Sequence, residues 1–471
     1  MALRFLEEAV TEQRALAREL LGDGRTRAPV IAVYLAAFGS SLHEAVTAYF
    51  YVAVGADVRQ IGAIASITLG VAVLAGPAVG AQVDRNGAVG AMAFAALACA
   101  VGCAVRGLAH NVGDLYASAA VLGLGGDGLD VVVTTYLAAV LDARKRSTLL
   151  AGFAVANISI KLLAKAVAPF ALGAIRQACH TRLLAYRIVL SVCWAFCAYG
   201  FFTIVAARHS LVSGPLAALA APPPAKALGR LPDAGDAAAS DELAQLNRKR
   251  GDAASAASLW LFGLGAVAIV CQSAALTAAT VLWPLVVRDS FGWDSAEFSY
   301  LLFFHALAGI LVSAAAPPAE RRLGRGAAAE AAAAVAAAAA ALLVALPARA
   351  APAKSRALAH AGLYSLHVVA LQVLGLHARS IATLAAPRSF IGRGFGAISA
   401  LAGVSGAGGA LAATALYASS TAGQKRFLSL SVAALGAALL ALRRMRGAEA
   451  PPSPAASGFD WEEEEEEGVS I

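Results

Sequence analysis

Residues 76–87 read GPAVGAQVDRNG and separate two long hydrophobic runs by a turn of only a few residues. The glycines allow one helix to approach another closely, because they carry no Cβ atom. Asp84 and Arg85 lie where a helix would leave the hydrocarbon, so they are placed to pair with another helix end or an opposite charge. The stretch therefore predicts a tight, charged connection between two membrane-spanning helices.

The composition of the chain is that of a membrane protein. Of its 471 residues, 59% are hydrophobic and 14% are charged, and the mean hydropathy is +0.69. A soluble protein would carry about a quarter charged residues. The net charge of +7 lies mostly in loops and tails, and no basic stripe with interleaved aromatics indicates a nucleic-acid surface. We therefore expect contact with a lipid bilayer and no nucleic-acid partner.

Twelve apolar stretches are long enough to cross a bilayer as helices. Six precede a polar interval and six follow it, and the ninth is nearly polyalanine, which makes its apolar signal the weakest. The predicted spans cover residues 29–54, 61–83, 88–105, 115–141, 148–175, 183–206, 256–287, 298–316, 327–346, 357–385, 395–417 and 427–442.

These spans divide the chain into five segments. An N-terminal segment, 1–28, mixes Arg and Glu with leucines at helical spacing, which fits either a surface helix or a solvated tail. Residues 29–206 form a first six-helix bundle, and residues 255–446 form a second. The interval 207–254 is Pro-containing and charged and predicts a solvated linker. Residues 447–471 include six consecutive glutamates and predict a disordered acidic tail.

The residue types of the turn at 76–87 are more informative than its length. It resembles the Gly-x-x-x-Asp-Arg-x-Gly signature found between the second and third helices of the major facilitator superfamily. The match falls on Gly80, Asp84, Arg85 and Gly87. The resemblance implies an all-α integral membrane protein whose twelve transmembrane helices form two pseudo-symmetric six-helix bundles.

Two pairs of similar sequence runs support an internal duplication. The run 320–325 (ERRLGR) follows the eighth span as the Asp-Arg turn follows the second, about 237 residues later. The basic run 387–394 follows the tenth span as the basic turn 142–146 follows the fourth.

The resemblance also implies a cytosolic gate. Asp84 would meet a helix end of the second bundle, and Arg85 would meet a carboxylate at the foot of the fourth span, for which Asp142 is the candidate. Lys and Arg are equally numerous in the short loops of the two sides, so the positive-inside rule does not decide the orientation. The basic residues of the tails and linker, together with the resemblance, place both termini in the cytosol of a plasma or organelle membrane.

Ionisable side chains inside the first bundle mark a candidate site, because each costs about 2.5–3.5 kcal/mol near a bilayer centre. Glu44, Asp127 and Lys161 all lie roughly 20 Å from the same membrane face at 1.5 Å per residue. Since the fourth and fifth spans form a hairpin, we expect Asp127 or Asp130 to meet Lys161. The full set in this bundle is His43, Glu44, Asp127, Asp130, Lys161 and Lys165.

The second bundle offers mainly neutral polar side chains. These are candidates either for substrate hydrogen bonds or for hydrogen bonds between helices: Gln272, His305, His367, Gln372 and His377. The six cysteines show no metal-ligand spacing and are interpreted as buried structural thiols. We expect no cofactor and no metal.

The sequence therefore predicts a secondary transporter of a small solute, working by alternating access as a monomer and coupled to protons or another ion, as in symport. A non-transporting receptor or scaffold on the same fold is one alternative. A membrane-embedded enzyme resembling an acyltransferase is another, although no nucleophile or nucleotide loop accompanies any histidine. The identity of the solute stays open.

Overall fold

The computed structural model describes residues 11, 14–141, 146–211, 237–346, 353–385, 391–417 and 421–448. Within these residues the regular structure is helical throughout. The helices are α1 (14–22), α2 (Gly24–Leu42), α3 (Glu44–Ala53), α4 (Val58–Asn86), α5 (Ala88–Leu108), α6 (Val112–Val140), α7 (Arg146–Ala178), α8 (Arg182–Ala206), α9 (Ala237–Phe291), α10 (Ser295–Leu323), α11 (Arg325–Ala345), α12 (Ala353–Ala385), α13 (Ile391–Leu416) and α14 (Thr421–Ala448).

Eleven of these helices are long and apolar enough to cross a membrane, and the bent pair α2 and α3 makes a twelfth span. The polyalanine stretch forms one of them, α11. Large apolar side chains such as Leu74, Phe170 and Phe202 are more than half exposed, as expected of residues that face lipid. The prediction of an all-α, twelve-span membrane protein is confirmed.

The first span is broken, which corrects the prediction of one continuous helix over 29–54. The axes of α2 and α3 differ by 50° across His43. The backbone carbonyl of His43 accepts a hydrogen bond from the Thr47 hydroxyl at 2.8 Å, and His43 Nδ1 lies 2.8 Å from the same hydroxyl oxygen. These side-chain bonds stabilise the backbone at the break, which places Glu44 at the start of a new helix.

The two halves, α2–α8 and α9–α14, repeat the same packing. In the first half α2 packs on α7 and α8, and α5 packs on α6 and α8; in the second half α9 packs on α13 and α14, and α11 packs on α12 and α14. Between the halves α4 packs on α13, and α7 packs on α10. We call the end where α2 begins and α8 ends the linker face, and the opposite end the distal face.

The turns of the two halves also correspond. Gly87 and Gly324 both have positive φ angles, 85° and 81°, and each separates two consecutive spans. Gly55 and Gly292, at 99° and 70°, lie at the distal ends of the first and seventh spans. Both pairs are 237 residues apart, and glycine suits these conformations because it lacks a Cβ. This interval agrees with the spacing of about 237 residues between the Asp-Arg turn and the similar run 320–325.

The predicted linker, 207–254, is partly helical. Helix α9 begins at Ala237, whereas its apolar membrane window begins at Trp260. Residues 237–254 are rich in Ala, Glu, Leu, Gln, Lys and Arg, which favour helix without being apolar. The rest of the linker from 212 to 236 and the acidic tail lie outside the described residues.

Candidate functional site

A buried ion pair joins the first and fifth spans. The Nζ atom of Lys165 lies 2.8 Å from Oε2 of Glu44, and the two side chains are 7% and 29% exposed. A lysine this deeply buried needs a counter-charge, because removing one partner of such a pair leaves an uncompensated charge. Glu44 is the first residue of α3, where the helix dipole favours a negative charge.

Two side chains of the second half lie near this ion pair. His305 of α10 lies within electrostatic range of Lys165, and Tyr364 of α12 lies within that of Glu44. The rings of Tyr364 and Trp283 are stacked, with centroids 4.4 Å apart and an angle of 2°. The His305 ring centroid is 6.5 Å from that of Tyr364. We call Glu44, Lys165, Trp283, His305 and Tyr364 the central site.

The central site contains buried polar atoms whose hydrogen bonding is incomplete among the described residues. Trp283 Nε1 is buried and makes no hydrogen bond to the residues that the structure describes. The buried His305 ring has no hydrogen bond of ordinary geometry among them, and its one polar neighbour is the backbone of Ser365. Buried polar groups are almost always hydrogen-bonded, so each exception requires an explanation. A ligand in contact with these atoms would supply the missing partners.

Among the described side chains, Asp130 of the fourth span does not pair with a lysine of the fifth span. Oδ1 of Asp130 accepts a hydrogen bond from the Asn157 amide at 3.4 Å. Lys161 has no hydrogen-bond or ion-pair partner in the described part of the chain, so the expected contact between Asp130 and Lys161 is wrong. The lysine one turn further along α7, Lys165, forms the ion pair instead, because α7 packs on the first span. The Asp127 side chain is not among those described.

His43 lines a separate cavity in the first half. This cavity has a volume of about 240 Å³ and is bordered by His43, Arg106 and two cysteines, among others. Arg106 is buried, and its guanidinium carbon lies 5.6 Å from the centre of the Tyr51 ring. The structure thus places the adjacent residues His43 and Glu44 in different environments.

The polar residues predicted in the second half have different roles. His367 Nδ1 lies 2.9 Å from the carbonyl oxygen of Ala336, which fastens α12 to α11. Gln272 of α9 packs against Gly375 of α12. Gln372 Oε1 is buried with no hydrogen bond to the described residues. Of this set, His305 is the residue that joins the central site.

The predicted gate at the linker face is only partly described. Gly87 ends α4 with a positive φ angle. The side-chain environments of Gly80, Asp84 and Arg85 are not described, and Asp142 lies outside the described residues. The proposed contacts of Asp84 and Arg85 therefore stay predictions.

The two halves are joined by polar contacts at the distal face. Arg176 Nη2 lies 3.0 Å from Asp294 Oδ2, and Arg182 Nη2 lies 3.8 Å from the same oxygen. The hydroxyl oxygens of Tyr186 and Ser295 are 2.9 Å apart. We call these five residues the distal lock.

Asp294 also caps a helix. Its Oδ1 accepts hydrogen bonds from the backbone N–H groups of Ala296 and Glu297, at 2.8 and 3.3 Å. Partial burial raises the pKa of the Asp294 carboxyl, but the hydrogen bonds from Arg176 and from the two backbone groups outweigh it and hold the pKa below its ordinary value.

Comparison with known protein families agrees with this architecture. The sequence profile of the Major Facilitator Superfamily matches residues 30–410. The chain belongs to this superfamily. It is therefore an integral, multi-pass membrane protein of a transporter family. Comparison with curated protein sequences finds no match.

Solved structures of Major Facilitator Superfamily proteins have the same fold. The xylose transporter XylE from E. coli, in a partially occluded inward-open conformation, matches with a TM-score of 0.63 and 13% identity over 90% of this chain and 97% of its own. An outward-facing bacterial homologue of the iron transporter ferroportin matches with a TM-score of 0.60 and 16% identity over 89% and 98%. The human organic anion transporter MFSD10 matches with a TM-score of 0.55 and 17% identity, over 88% of this chain and 99% of its own.

Several residues of these sites were missed in the sequence. Trp283, Tyr364 and Arg176 carry no motif, and aromatic or basic residues near span ends are common. Asp294 could have been identified from the sequence. The pattern Gly292-x-Asp294-x-x-Glu297 repeats Gly55-x-Asp57-x-x-Gln60 at the 237-residue interval.

Proposed function

We propose that this Major Facilitator Superfamily protein carries a small solute across a membrane by alternating access and couples its movement to protons in symport. The observation that supports this most directly is the Glu44–Lys165 ion pair, whose lysine is buried and lies within electrostatic range of His305 in the second half. A carboxylate in such a position binds or releases a proton according to its partner and its solvation.

The coupling follows from charge balance at Lys165. When Glu44 takes up a proton, the buried ammonium loses its counter-charge and is left to bind an anionic group of the solute. When the solute leaves, Lys165 again attracts the ionised form of Glu44, which releases the proton. Proton and solute thus travel in the same direction.

The second half supplies the remaining contacts of the solute. Trp283 Nε1 donates a hydrogen bond, and a neutral His305 ring both donates and accepts. The stacked rings of Trp283 and Tyr364 provide a flat apolar wall beside the ion pair. Because these groups lie on both halves, a bound solute would be held at their interface, where the relative motion of the halves changes its access.

Alternating access requires contacts that break at one face and form at the other. We propose that the distal lock forms the contacts at the distal face. We propose that the contacts at the linker face are formed by the turn that contains Gly80, Asp84, Arg85 and Gly87, together with Asp142. We further propose that the linker face and both termini are cytosolic, in a plasma or organelle membrane, and that the transporter works as a monomer.

Transport into vesicles containing the purified protein tests the proposal. The panel should include the cargoes named for the matched structures, namely iron, xylose, organic anions and peptides. We expect the organic anions or the peptides, which carry the anionic group that Lys165 would bind, to accumulate when the vesicle lumen is alkaline, and a protonophore to abolish the accumulation. As a control, Glu330→Gln, which removes a carboxylate paired with Arg443 outside the central site, should transport normally. Uptake that ignores the pH gradient would contradict proton coupling.

A further inference from the structure

Three cysteine thiols meet inside the first half. Cys99 and Cys103 of α5 and Cys197 of α8 are all buried, and their sulfur atoms lie within 4.8 Å of one another. The sulfur atoms of Cys99 and Cys197 are 3.6 Å apart. The first two residues share a helix face because they are four positions apart, and α5 packs on α8.

We propose that Cys99, Cys103 and Cys197 bind one soft, monovalent metal ion of the Cu(I) class. A metal–sulfur bond of about 2.3 Å places the corners of a planar, three-coordinate site about 4.0 Å apart. The sulfur separations already have this scale, so binding requires only small side-chain adjustments.

The number and type of ligands favour Cu(I). Thiolates are soft ligands that prefer Cu(I) to hard cations. Structural zinc is almost always four-coordinate, and among the described residues no fourth His, Cys, Asp or Glu belongs to the cluster. His43 also lines the cavity, but neither of its ring nitrogens lies within 4.8 Å of all three sulfur atoms.

The surroundings supply charge compensation and access. Three thiolates around a monovalent ion carry a charge of −2, and each thiol that becomes a thiolate releases one proton. Arg106 is 7% exposed and lies within electrostatic range of Cys99 and Cys103, so it offsets one negative charge. The cavity of about 240 Å³ is lined by the same two cysteines, which leaves space for an ion beside them. No oxidation is involved if the ion arrives as Cu(I).

Anaerobic titration of the reduced, full-length protein with Cu(I) tests this site. Cu(I) is supplied from a coloured chelator complex, so that metal transfer is measured against a known affinity. We expect one Cu(I) per chain, and X-ray absorption should show sulfur ligands at about 2.3 Å. Bound Cu(I) should also protect three thiols from alkylation, as counted by mass spectrometry in the unmodified sequence.

Cys193 provides the matched control, since it is buried on α8 one turn from Cys197 but lies outside the cluster. Replacing Cys99, Cys103 or Cys197 by Ala should weaken binding at least 10-fold, whereas Cys193→Ala should not. Absence of Cu(I) transfer, equal loss in Cys193→Ala, tighter binding of Zn²⁺, or a disulfide between Cys99 and Cys197 in place of metal would each overturn the proposal. The thiol-protection count keeps the test valid if an alanine variant fails to fold.

Discussion

Arg176 Nη2 lies 3.0 Å from Asp294 Oδ2, and this contact joins the two halves of the protein at the distal face. The other oxygen of the same carboxylate caps the start of α10. One side chain therefore fixes a helix end and holds that end against the opposite half. Any opening of the distal face must break the ion pair, whereas the helix cap can persist.

Replacing Asp294 by Asn separates these two roles. Asn caps helices about as well as Asp, so α10 should keep its start while the ion pair is lost. We expect a reporter cysteine at Ser299, which is fully buried one turn further along α10 and lies outside the distal lock, to react about tenfold faster with a membrane-impermeant maleimide, the change that corresponds to about 1.4 kcal/mol. The matched control is Asp57→Asn, because Asp57 caps α4 in the same way, with Gln60 N–H donating at 2.7 Å. Equal labelling rates in the Asp294 and Asp57 variants would remove the distal lock from the account.

The pKa of Asp294 predicts how the lock responds to acid. Because its folded pKa is lower than the ordinary value of 3.8, the ion pair adds stability above that value and loses it as the pH falls through the folded pKa. The difference in unfolding temperature between wild type and Asp294→Asn should therefore be constant from pH 7 to about pH 5 and disappear only below pH 4. A difference already gone at pH 5 would show that the pKa is not lowered.

Glu44 and Lys165 should be energetically coupled. Glu44→Gln leaves the buried Lys165 ammonium without its counter-charge, whereas Lys165→Met leaves a carboxylate that is 29% exposed. We therefore expect the first change to lower the unfolding free energy more than the second, and the double variant to recover part of the loss. A double-mutant cycle should give a coupling of about 1–3 kcal/mol. Purely additive effects would mean that the contact contributes nothing.

Close packing of α5 on α6 depends on Gly125. A Cβ atom built there would lie 2.4 Å from the carbonyl oxygen of Ala95 and 2.5 Å from the backbone nitrogen of Cys99, neither of which can move easily. Gly125→Ala should lower the unfolding free energy by about 1–3 kcal/mol. Gly128→Ala, on the same helix with nothing within 4 Å, should leave stability unchanged or slightly higher. A similar effect at both positions would point to helix propensity and not to packing.

The spans were predictable because the bilayer fixes their length and excludes charge from most of them. The break at His43 was not, since no proline or glycine adjoins it and the bonds that stabilise it come from the Thr47 side chain. The polarity of residues 237–254 predicts a solvated linker, but polar residues of high helix propensity extend α9 beyond its apolar membrane window.

The central site was only partly predictable. Depth along each helix predicts that Glu44 lies among the midplane groups, but depth does not identify which helices are neighbours. The hairpin assumption favoured Lys161 as the partner of an aspartate, whereas packing of the first span on α7 brings Lys165 to Glu44. Aromatic residues such as Trp283 and Tyr364 give no signal in a sequence already rich in apolar residues.

The most direct test of the account compares two modes of transport in Glu44→Gln, with the solute that the vesicle panel identifies. Solute exchange across a membrane without a gradient needs no net proton movement, whereas accumulation against a gradient does. We predict that Glu44→Gln retains exchange at about the wild-type rate and loses accumulation driven by a pH gradient. Accumulation at the wild-type level in this variant would contradict the proposal that Glu44 carries the coupled proton.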